Sequence, residues 1–447
     1  MNTVKHQQYL AQLPKLPQAA GDIQIIYCPS VFRNKLLELI ASATRRIYLV
    51  ALYLENDDAG RDVLSALYRA KQQHVTLEIC VLVDWHRAQR GRIGQAVANT
   101  NADWYCETAK KYPEITVPIY GVPVNTREAL GILHLKGFII DDTVVYSGAS
   151  INDIYLQQHE KYRYDRYQLI KNPQLATVMT DYIRQHLLSS AAVQRLDSDD
   201  RPKKTEIKNE IRQFRRSLRN CGYNFINQTN HEQLAVTPMV GLGKRNVLNR
   251  TIHHLMLCVN RSMIICTPYF NLPGLLAKNI LYLLRQSKQV EIIIGDKTAS
   301  DFYIPEDQKF QMSGILPYLY EINLRRFVRR LQCYLNTGQL IIRLWKDGDN
   351  SYHLKGIWID NTWMLITGNN LNLRAWQFDL ENAILIHDPC QQLYEQKQKE
   401  LECIRSNTKI INHYLELQTI NQYPLKIRKP ITRLRRIRID RLINRIL

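Results

Sequence analysis

An internal repeat is the feature that most constrains how this chain can fold. Residues 131–142 read GILHLKGFIIDD, and residues 350–361 read NSYHLKGIWIDN. Both contain His-Leu-Lys-Gly with an Asp five positions after the Lys, and the two histidines are 219 residues apart. Upstream, RIYLVALYLE at 46–55 resembles SMIICTPYFN at 262–271. Matching segments in one order indicate two copies of one structural unit.

Apolar periodicity predicts the content of that unit. In the first copy, alternate apolar residues predict a strand over 75–83, and VEIII at 290–294 is its counterpart. Apolar residues spaced by three and four predict a helix before each of these strands: Leu64, Leu67 and Tyr68 in one copy, and Leu276, Ile280, Leu283 and Leu284 in the other. Each copy is therefore predicted to be an α/β unit.

The repeat also sets the predicted domain boundaries. DRYQLIKNP at 165–173 aligns with ENAILIHDP at 381–389, so the match extends past both motifs. We predict an N-terminal domain over 1–195, a polar linker over 196–205, a C-terminal domain over 206–422 and a basic tail over 423–447. Within the tail, residues 425–447 hold nine Lys or Arg and one Asp.

The doubled motif carries candidate catalytic residues. Apolar residues follow Lys136, so the motif is predicted to lie on a strand, where His134 and Lys136 share one face and Asp141 lies on the other. The equivalent residues of the second copy are His353, Lys355 and Asp360. A His beside a Lys favours an anion such as phosphate, which the Lys binds and the His attacks or protonates.

A single His-x-Lys is more simply interpreted as a solvated strand face. Two copies of the motif in the same context favour a catalytic site. If only the fold had been kept after duplication, the polar surface residues would have diverged between the copies. A relic of the fold alone remains the alternative. The turns SGASIND (147–153) and TGNNLN (367–372) are predicted to bind phosphate or fix a histidine through Ser150, Asn152, Asn370 and Asn372, although ordinary turn chemistry explains them equally well. Asp165 and Glu381 are predicted to orient the histidines.

Composition narrows the class of protein. Hydrophobic residues make up 45% and charged residues 23%, which excludes a disordered or collagen-like chain. The formal charge of +19 predicts a polyanionic partner, either nucleic acid or an anionic membrane surface. Nine cysteines without Cys-x-x-Cys spacing, no signal-peptide pattern and no apolar run of about 18 residues predict a cytoplasmic protein that meets a membrane only at its surface.

The paired motifs and their trailing turns resemble the phospholipase D superfamily. More narrowly, HLKGFIIDDTVVYSGASINDIYLQQHEKYRYDRY and WMLITGNNLNLRAWQFDLENAILIHDP make the chain similar to the bacterial CDP-diacylglycerol–serine O-phosphatidyltransferases of that superfamily. The resemblance implies two phospholipase D-like domains, each a mixed β-sheet flanked by helices, with the active site at their pseudo-twofold interface. The turns depart from the common Gly-Ser-x-Asn: the first is one residue longer, and the second has no Ser.

The resemblance also implies a mechanism. One motif histidine attacks the phosphorus of CDP-diacylglycerol and expels CMP, and the other protonates the leaving group and then deprotonates L-serine. The superfamily's usual choice makes His134 the nucleophile, although the two sites are near mirror images. Lys136 and Lys355 stabilise the charged transition state, without a metal or a cofactor. Other enzymes of the superfamily (cardiolipin synthase-like, phospholipase or nuclease) and a non-catalytic nucleic-acid-binding protein are the alternatives.

The basic tail suggests how such an enzyme reaches its lipid. Ile427, Ile431, Leu434, Leu442 and Ile446 lie near helical spacing with arginines between them, as in helices that bind anionic interfaces. A helix docked on the protein with solvated arginines is the alternative. Peripheral attachment to the inner face of the cell membrane is predicted, with an anionic phospholipid surface as partner and no obligatory nucleic acid. The sequence leaves the oligomeric state open.

Overall fold

Two β-sheets flanked by helices form the framework of the chain. The structure is a computed structural model that describes residues 3–91, 99–227, 229 and 232–436. The strands are β1 (Leu16–Pro17), β2 (Ile23–Ile26), β3 (Arg46–Val50), β4 (Glu78–Asp84), β5 (Ile119–Val122), β6 (Leu133–His134), β7 (Phe138–Ile140), β8 (Thr143–Ser147), β9 (Arg163–Tyr164), β10 (Tyr167–Lys171), β11 (Gln194–Arg195), β12 (Ala235–Leu242), β13 (Ser262–Thr267), β14 (Gln289–Gly295), β15 (Leu340–Trp345), β16 (Ser351–Tyr352), β17 (Gly356–Ile359), β18 (Trp363–Thr367), β19 (Leu380–His387) and β20 (Thr408–Ile411).

Seven of the fifteen α-helices in the described residues lie between consecutive strands that are neighbours in one sheet. The α-helices are α1 (Thr3–Ala11), α2 (Pro29–Ser42), α3 (Asp58–Gln73), α4 (Trp85–Ala88), α5 (Asn101–Lys111), α6 (Asp153–Leu156), α7 (Pro173–Tyr182), α8 (Lys208–Leu218), α9 (Val247–Leu257), α10 (Gly274–Arg285), α11 (Leu316–Arg330), α12 (Gln332–Asn336), α13 (Leu373–Gln377), α14 (Tyr394–Ser406) and α15 (Leu425–Arg436). A π-helical turn (Ile183–Leu188) follows α7, and 3₁₀ turns lie at Ala20–Asp22, Glu128–Leu130, Lys297–Ala299, Met312–Ile315, Tyr414–Glu416 and Ile420–Gln422.

The two sheets repeat one topology. The first has the order β11-β5-β4-β3-β7-β8-β10-β2, and the second has β1-β12-β19-β18-β17-β13-β14-β15-β20 with β6 beside β19. In each sheet three neighbouring strands are parallel, β3, β4 and β5 in one and β13, β14 and β15 in the other. An antiparallel hairpin follows them, β7–β8 or β17–β18. The predicted pair of α/β units, each with a mixed sheet, is confirmed.

The predicted strand over 75–83 needs a correction. Strand β4 begins at Glu78, and Val75 lies in the preceding turn with 77% of its surface exposed. The six residues that follow Glu78 in β4 are all buried, so both faces of this strand are covered, as is common for strands in parallel sheets. The apolar stripes of α3 and α10 face the core as predicted, since all seven predicted stripe residues are buried.

Neither His-x-Lys motif lies on a single strand as predicted, because the first passes from the second sheet to the first and the second passes from a two-stranded sheet, β9–β16, to the second sheet. Strand β6, which contains His134, pairs in parallel with β19 of the second sheet. Strand β7, four residues later, belongs to the first sheet. Gly137 has a φ of 109° in the turn between them. In the second copy, β16 pairs with β9 of the first half, and β17 belongs to the second sheet.

The first and last elements of the described residues lie on the second half. Strand β1 pairs with β12, and Leu10 of α1 and Leu13, which follows α1, are buried in the core of the second half, although both precede the first sheet in the sequence. The predicted N-terminal domain over 1–195 includes these residues, so its boundary differs from the structural grouping. The predicted linker is anchored to the first half, because Leu196 is buried and the Asp197 carboxylate accepts a hydrogen bond from the amide of Ile119.

The basic tail begins as a docked helix. Ile427 and Ile431 on α15 are buried in a cluster with Tyr269, Tyr318 and Tyr320. Leu434 packs at the edge of this cluster, and Leu442 and Ile446 lie outside the described residues. The described part of the tail therefore has the docked arrangement that was the alternative to a free interfacial helix. Across the described ranges, no helix combines the length and the apolar character needed to span a bilayer.

Candidate active site

A cavity of about 360 Å³ lies where the two halves meet, and both motifs open into it. Six residues singled out from the sequence line it: His134, Lys136, Ser150, His353, Asn370 and Asn372. Since β6 and β16 carry each motif toward the opposite sheet, both halves contribute to one site. The expected position of the site at a pseudo-twofold interface is therefore what the structure has.

A glutamate of the second half holds the histidine of the first. Nδ1 of His134 lies 2.9 Å from Oε2 of Glu381, which is its register partner across β6 and β19. Both side chains are almost fully buried. Burial, together with the charges of Lys136 and Lys355, lowers the pKa of His134 well below its usual value, and burial raises the pKa of Glu381 well above its own. The pair therefore favours a neutral imidazole whose Nε2 is left for chemistry.

The histidine of the second half has a more crowded environment. Nδ1 of His353 lies 2.8 Å from Oδ2 of Asp165 and 2.9 Å from the hydroxyl of Tyr155, both in the first half. Lys355 also contacts this nitrogen. Burial and the charge of Lys355 lower the pKa of His353 to about 4, against the opposing hydrogen bond of Asp165. Burial alone would raise the pKa of Asp165, but Lys355 and His353 hold it below its usual value.

The two motif lysines are not equivalent. Nζ of Lys355 lies 3.1 Å from Oδ2 of Asp165 and is fully buried. Nζ of Lys136 lies 3.5 Å from the Ser150 hydroxyl, and no carboxylate of the described residues lies within ion-pair distance of it. Burial and the charge of Lys355 lower the pKa of Lys136 to about 7. An ammonium that lines a cavity without a counterion is suited to bind an anionic ligand.

Two glycines allow each lysine to approach the other half. A Cβ on Gly148 would lie 2.5 Å from Oδ2 of Asp165 and 2.6 Å from Nζ of Lys355. A Cβ on Gly368 would lie 2.5 Å from Cγ of Lys136. From the sequence, these glycines were expected only as parts of the two turns. Their position after the hairpin strand in both copies was the signal for a close approach.

The turn residues divide into two groups. Ser150 lines the cavity beside Lys136, and Oδ1 of Asn370 is buried without a hydrogen bond to any described residue. The side chains of Asn152 and Asn372 instead accept hydrogen bonds at the N-termini of α6 and α13, from the amides of residues 155 and 375. Helix capping is thus one role of these two asparagines. Asn372 also lines the cavity.

The motif aspartates lie away from the cavity. The carboxylate of Asp141 accepts hydrogen bonds from the amides of Thr44, Arg45 and Arg46, before and at the start of β3. Asp360 accepts from the amides of residues 260, 261 and 262 at the start of β13. Both have a positive φ, near 50°. The structure therefore does not bring them to the histidines as the prediction of catalytic residues required; they tie the hairpin turn to the neighbouring strand.

Several cavity residues escaped the sequence analysis. Arg163, Tyr155 and Asp301 line the side near His353, and Arg374 and Asp379 line another part of the wall. Arg374 Nε lies 3.0 Å from Oδ2 of Asp379. The sequence could have pointed to two of these residues, Arg163 and Asp379. They occupy the same position of the repeat, two residues before Asp165 and Glu381. Tyr155 and Asp301 had no such signal, since only folding brings them to the cavity.

One group of side chains in the described ranges has the spacing of a cation site. Ligand atoms of Asp58, Asp153 and His159 lie within 4.8 Å of one another. They are exposed or half-buried, and their atoms already have partners, because Nε2 of His159 lies 3.2 Å from Asp58 and the Asp153 carboxylate accepts from the amide of Ala59. None of the three lines the cavity. The group therefore plays no part in the chemistry considered below.

The arrangement is suited to transfer a group through phosphorus. Two imidazoles, each held through Nδ1 by a carboxylate of the opposite half, present a nucleophile and a proton carrier to one cavity. Lys136 supplies a positive charge at the same place. Such a set fits a two-step displacement in which one histidine carries the transferred group.

Comparisons with known proteins agree with this geometry. The family model described as "Cardiolipin synthase, PLD-like domain" matches residues 36–187 and 252–404. The CDP-diacylglycerol–serine O-phosphatidyltransferase of Escherichia coli K12 is 62% identical over 443 residues, which cover 99% of this chain and 98% of that protein. The Haemophilus influenzae enzyme of the same name is 48% identical over 450 residues, 100% and 99% of the two chains. The crystal structure of phosphatidylserine synthase from Haemophilus influenzae superposes with a TM-score of 0.96 at 47% identity and covers all of both chains.

Proposed function

The chain belongs to the phospholipase D-like family of CDP-diacylglycerol–serine O-phosphatidyltransferases, and we propose that it makes phosphatidylserine and CMP from CDP-diacylglycerol and L-serine through a phosphatidyl-histidine intermediate. The observation that carries this proposal is the pair of cross-held histidines at one cavity. Direct displacement by the acceptor needs only one base, whereas transfer through a covalent intermediate uses a nucleophile and a second group that moves protons, which is what the two histidines can supply.

In the first step, Nε2 of His134 attacks the phosphorus that bears diacylglycerol. A P–N bond forms, and the P–O bond to CMP breaks. His134 is the better nucleophile of the two, because its ring makes one hydrogen bond to the described residues, through Nδ1 to Glu381, and Nε2 remains available. Lys136 binds the non-bridging oxygens, whose negative charge increases in the transition state.

His353 carries the proton. The bound diphosphate raises the pKa of His353 by adding negative charge, so the imidazolium can donate its proton to the departing CMP. After CMP leaves, the pKa of His353 returns to about 4, and its neutral ring accepts the proton of the serine hydroxyl. The serine oxygen then attacks phosphorus, the P–N bond breaks, and His134 is regenerated.

An anionic membrane surface is the proposed partner, met from the inner face of the cell membrane. Arg325, Arg326 and Arg329 of α11 and Arg435 of α15 line a surface cavity of about 390 Å³ that no described carboxylate lines. Each basic residue near an anionic bilayer contributes about 1 kcal/mol to attraction. This surface includes the described part of the basic tail, so docking of α15 on the protein is compatible with membrane contact by its arginines.

The first test is the release of CMP from CDP-diacylglycerol in mixed micelles by the purified protein, with and without L-serine. We expect serine-dependent release with phosphatidylserine as the lipid product, and loss of turnover in His134→Ala and His353→Ala. Serine-independent hydrolysis to phosphatidic acid would indicate a phospholipase-like enzyme. No release under any condition would contradict the proposal and leave a nuclease or a binding protein, which retention on DNA at matched salt would reveal.

The intermediate is tested separately. With labelled CDP-diacylglycerol and no serine, we expect the wild-type protein to retain label in an acid-labile, alkali-stable form, as a phosphoramidate does. His353→Ala should gain label more slowly, because it lacks the acid that protonates the departing CMP. Peptide mapping should place the label on His134. Label on His353 in the wild-type protein would reverse the assignment of the nucleophile, and no label in either protein would argue for direct displacement.

A further inference from the structure

An arginine and an aspartate face each other across the cavity beside His353 without forming a close ion pair. Nη1 of Arg163 lies 3.7 Å from Oδ2 of Asp301, and the side chains are 14% and 20% exposed. A buried structural pair in the same protein looks different. Arg166 binds Glu400 through two contacts of 2.8 and 2.9 Å, with exposures of 2% and 5%. The Arg163–Asp301 pair is therefore open to a ligand in a way that the Arg166–Glu400 pair is not.

Aromatic side chains connect this open pair to His353. The guanidinium of Arg163 lies 4.8 Å from the ring centroid of Tyr155, whose hydroxyl bonds His353. The Tyr269 hydroxyl donates to Oδ1 of Asp301 at 2.5 Å, and the Tyr269 ring lies 6.2 Å from that of His353. Oδ1 of Asp301 is thus occupied, while among the described residues Oδ2 has only the long contact with Arg163. A ligand that fills the gap reaches the base of the second step.

We propose that Arg163 and Asp301 form the subsite for the α-carboxylate and α-ammonium groups of the acceptor amino acid. The proposal rests on the function proposed above. A zwitterion brings one charge of each sign at a fixed short separation, which an adjacent cation and anion complement. The acceptor ammonium binds Oδ2 of Asp301, and its carboxylate binds the guanidinium of Arg163. The β-hydroxyl then points toward His353, which removes its proton.

The subsite explains how one cavity can serve two substrates in turn. A lipid diphosphate offers negative charge alone, so Lys136 suffices to bind its phosphates. Discrimination between serine and other small alcohols needs groups that are left unpaired when the wrong acceptor binds. An alcohol without an ammonium leaves Asp301 unpaired, and an amino alcohol without a carboxylate leaves Arg163 unpaired.

The test compares Asp301→Asn, which keeps an acceptor for the Tyr269 hydroxyl, with Arg163→Lys, which keeps the positive charge. Asp307→Asn, an exposed carboxylate of the same loop, is the matched control. We expect each of the first two variants to raise the KM for L-serine by about 10-fold or more, as expected for a lost charge-assisted hydrogen bond. Asp307→Asn should leave the serine-independent formation of labelled phosphatidyl-enzyme within about twofold of the wild-type rate, and in the other two variants this rate should change less than transfer to serine does.

Acceptor analogues separate recognition from general damage. Ethanolamine lacks the carboxylate, and 3-hydroxypropionate lacks the ammonium group. Asp301→Asn should lose most of its preference for serine over 3-hydroxypropionate, and Arg163→Lys should lose preference for serine over ethanolamine. Equal losses on all three acceptors, an unchanged KM for serine or a first half-reaction slowed as much as transfer to serine would each overturn the subsite. If the wild-type enzyme transfers nothing to serine, the proposed function itself fails. That result differs from the outcomes above, in all of which the wild-type enzyme does transfer to serine.

Discussion

Lys355 forms a buried ion pair with Asp165, with 3.1 Å between Nζ and Oδ2, whereas its counterpart Lys136 has no carboxylate of the described residues within 4 Å. Removing the two charges should therefore affect stability in opposite directions. We expect Lys136→Met to raise the free energy of unfolding by about 1–3 kcal/mol, because an unpaired buried charge is lost. Lys355→Met should lower it by about 3–5 kcal/mol, because Asp165 loses its cation.

Both variants should lose activity. Lys136→Met should lose activity while becoming more stable, whereas Lys355→Met should lose both activity and stability. Denaturant unfolding at pH 7, with CMP release as the activity measurement, checks both. Destabilisation of Lys136→Met comparable to that of Lys355→Met would show that Lys136 has a partner in solution and is not held ready for substrate.

The pKa of Lys136, about 7 in the folded protein against 10.5 for the free side chain, predicts two pH dependences. For the free enzyme, kcat/KM for CDP-diacylglycerol should fall as pH rises through about 7, because Lys136 loses the charge that binds phosphate. The unfolded chain binds more protons than the folded one between about pH 7 and 10.5, so the free energy of unfolding should increase with pH across that window. Lys136→Arg should move the alkaline limb of activity upward, and Lys136→Met should lack this increase in stability. An alkaline limb that stays in place in Lys136→Arg would assign it to another group.

Glu381 should act on the chemistry by positioning His134. We expect Glu381→Gln to lower kcat by about 10²–10⁴-fold with little change in the KM for CDP-diacylglycerol, because an amide can hold the wrong imidazole tautomer. Formation of the labelled phosphatidyl-enzyme should slow in Glu381→Gln by the same factor as kcat, because His134 is the nucleophile of that step. A normal labelling rate with slow transfer to serine would instead place Glu381 in the second step.

The close approach at Gly148 and Gly368 predicts a sharp size limit. We expect Gly148→Ala to lower kcat by about 10²-fold or more, because the added methyl group displaces the Asp165–Lys355 pair. Gly368→Ala should displace Lys136 in the same way. Gly274→Ala is the control, since a Cβ there meets nothing within 4 Å. Circular dichroism and CMP release distinguish a local defect from unfolding; full activity of both motif variants would show that the lysines can shift without loss.

The docked helix α15 should stabilise the wall of the cavity. Ile427→Ala and Ile431→Ala should each cost about 2–5 kcal/mol of unfolding free energy, as buried Ile to Ala changes do. Leu425→Ala on the same helix, where the Leu is 59% exposed, should cost little. Because Tyr269 packs in the same cluster, the two Ile variants should also raise the KM for serine. Thermal unfolding that is unchanged by Ile431→Ala would mean that the helix leaves this position in solution.

The repeat, the mixed sheets and the histidine and lysine pairs could be predicted from the sequence, because a duplicated unit has the same residue types at equivalent positions of both copies. The sequence also predicted that Asp165 and Glu381 orient histidines, which the distances of 2.8 and 2.9 Å match. It could not predict that each carboxylate serves the histidine of the opposite half. The repeat matches equivalent residues of the two copies, whereas this exchange arises because β6 pairs with β19 and β9 pairs with β16, each a strand of the opposite half.

The motif aspartates show the opposite limit. Asp141 and Asp360 recur at one spacing, which resembles a catalytic pattern, yet their carboxylates bind backbone amides at a turn. A residue that a fold needs twice and a residue that a reaction needs twice give the same sequence signal. Arg163 and Asp301 show a third case, because a subsite that binds one asymmetric molecule has no reason to appear in both copies.

The unequal surroundings of the two histidines bear on evolution and design. Two identical chains related by a twofold axis must place the same residues beside both histidines, so neither can be specialised alone. Joining the halves in one polypeptide removes that restriction. Of the two motif histidines, His353 alone is bonded by Tyr155 among the described residues, and a single lysine can keep its charge unpaired for substrate. Covalent linkage thus allows a division of labour that a symmetric dimer of either half could not encode.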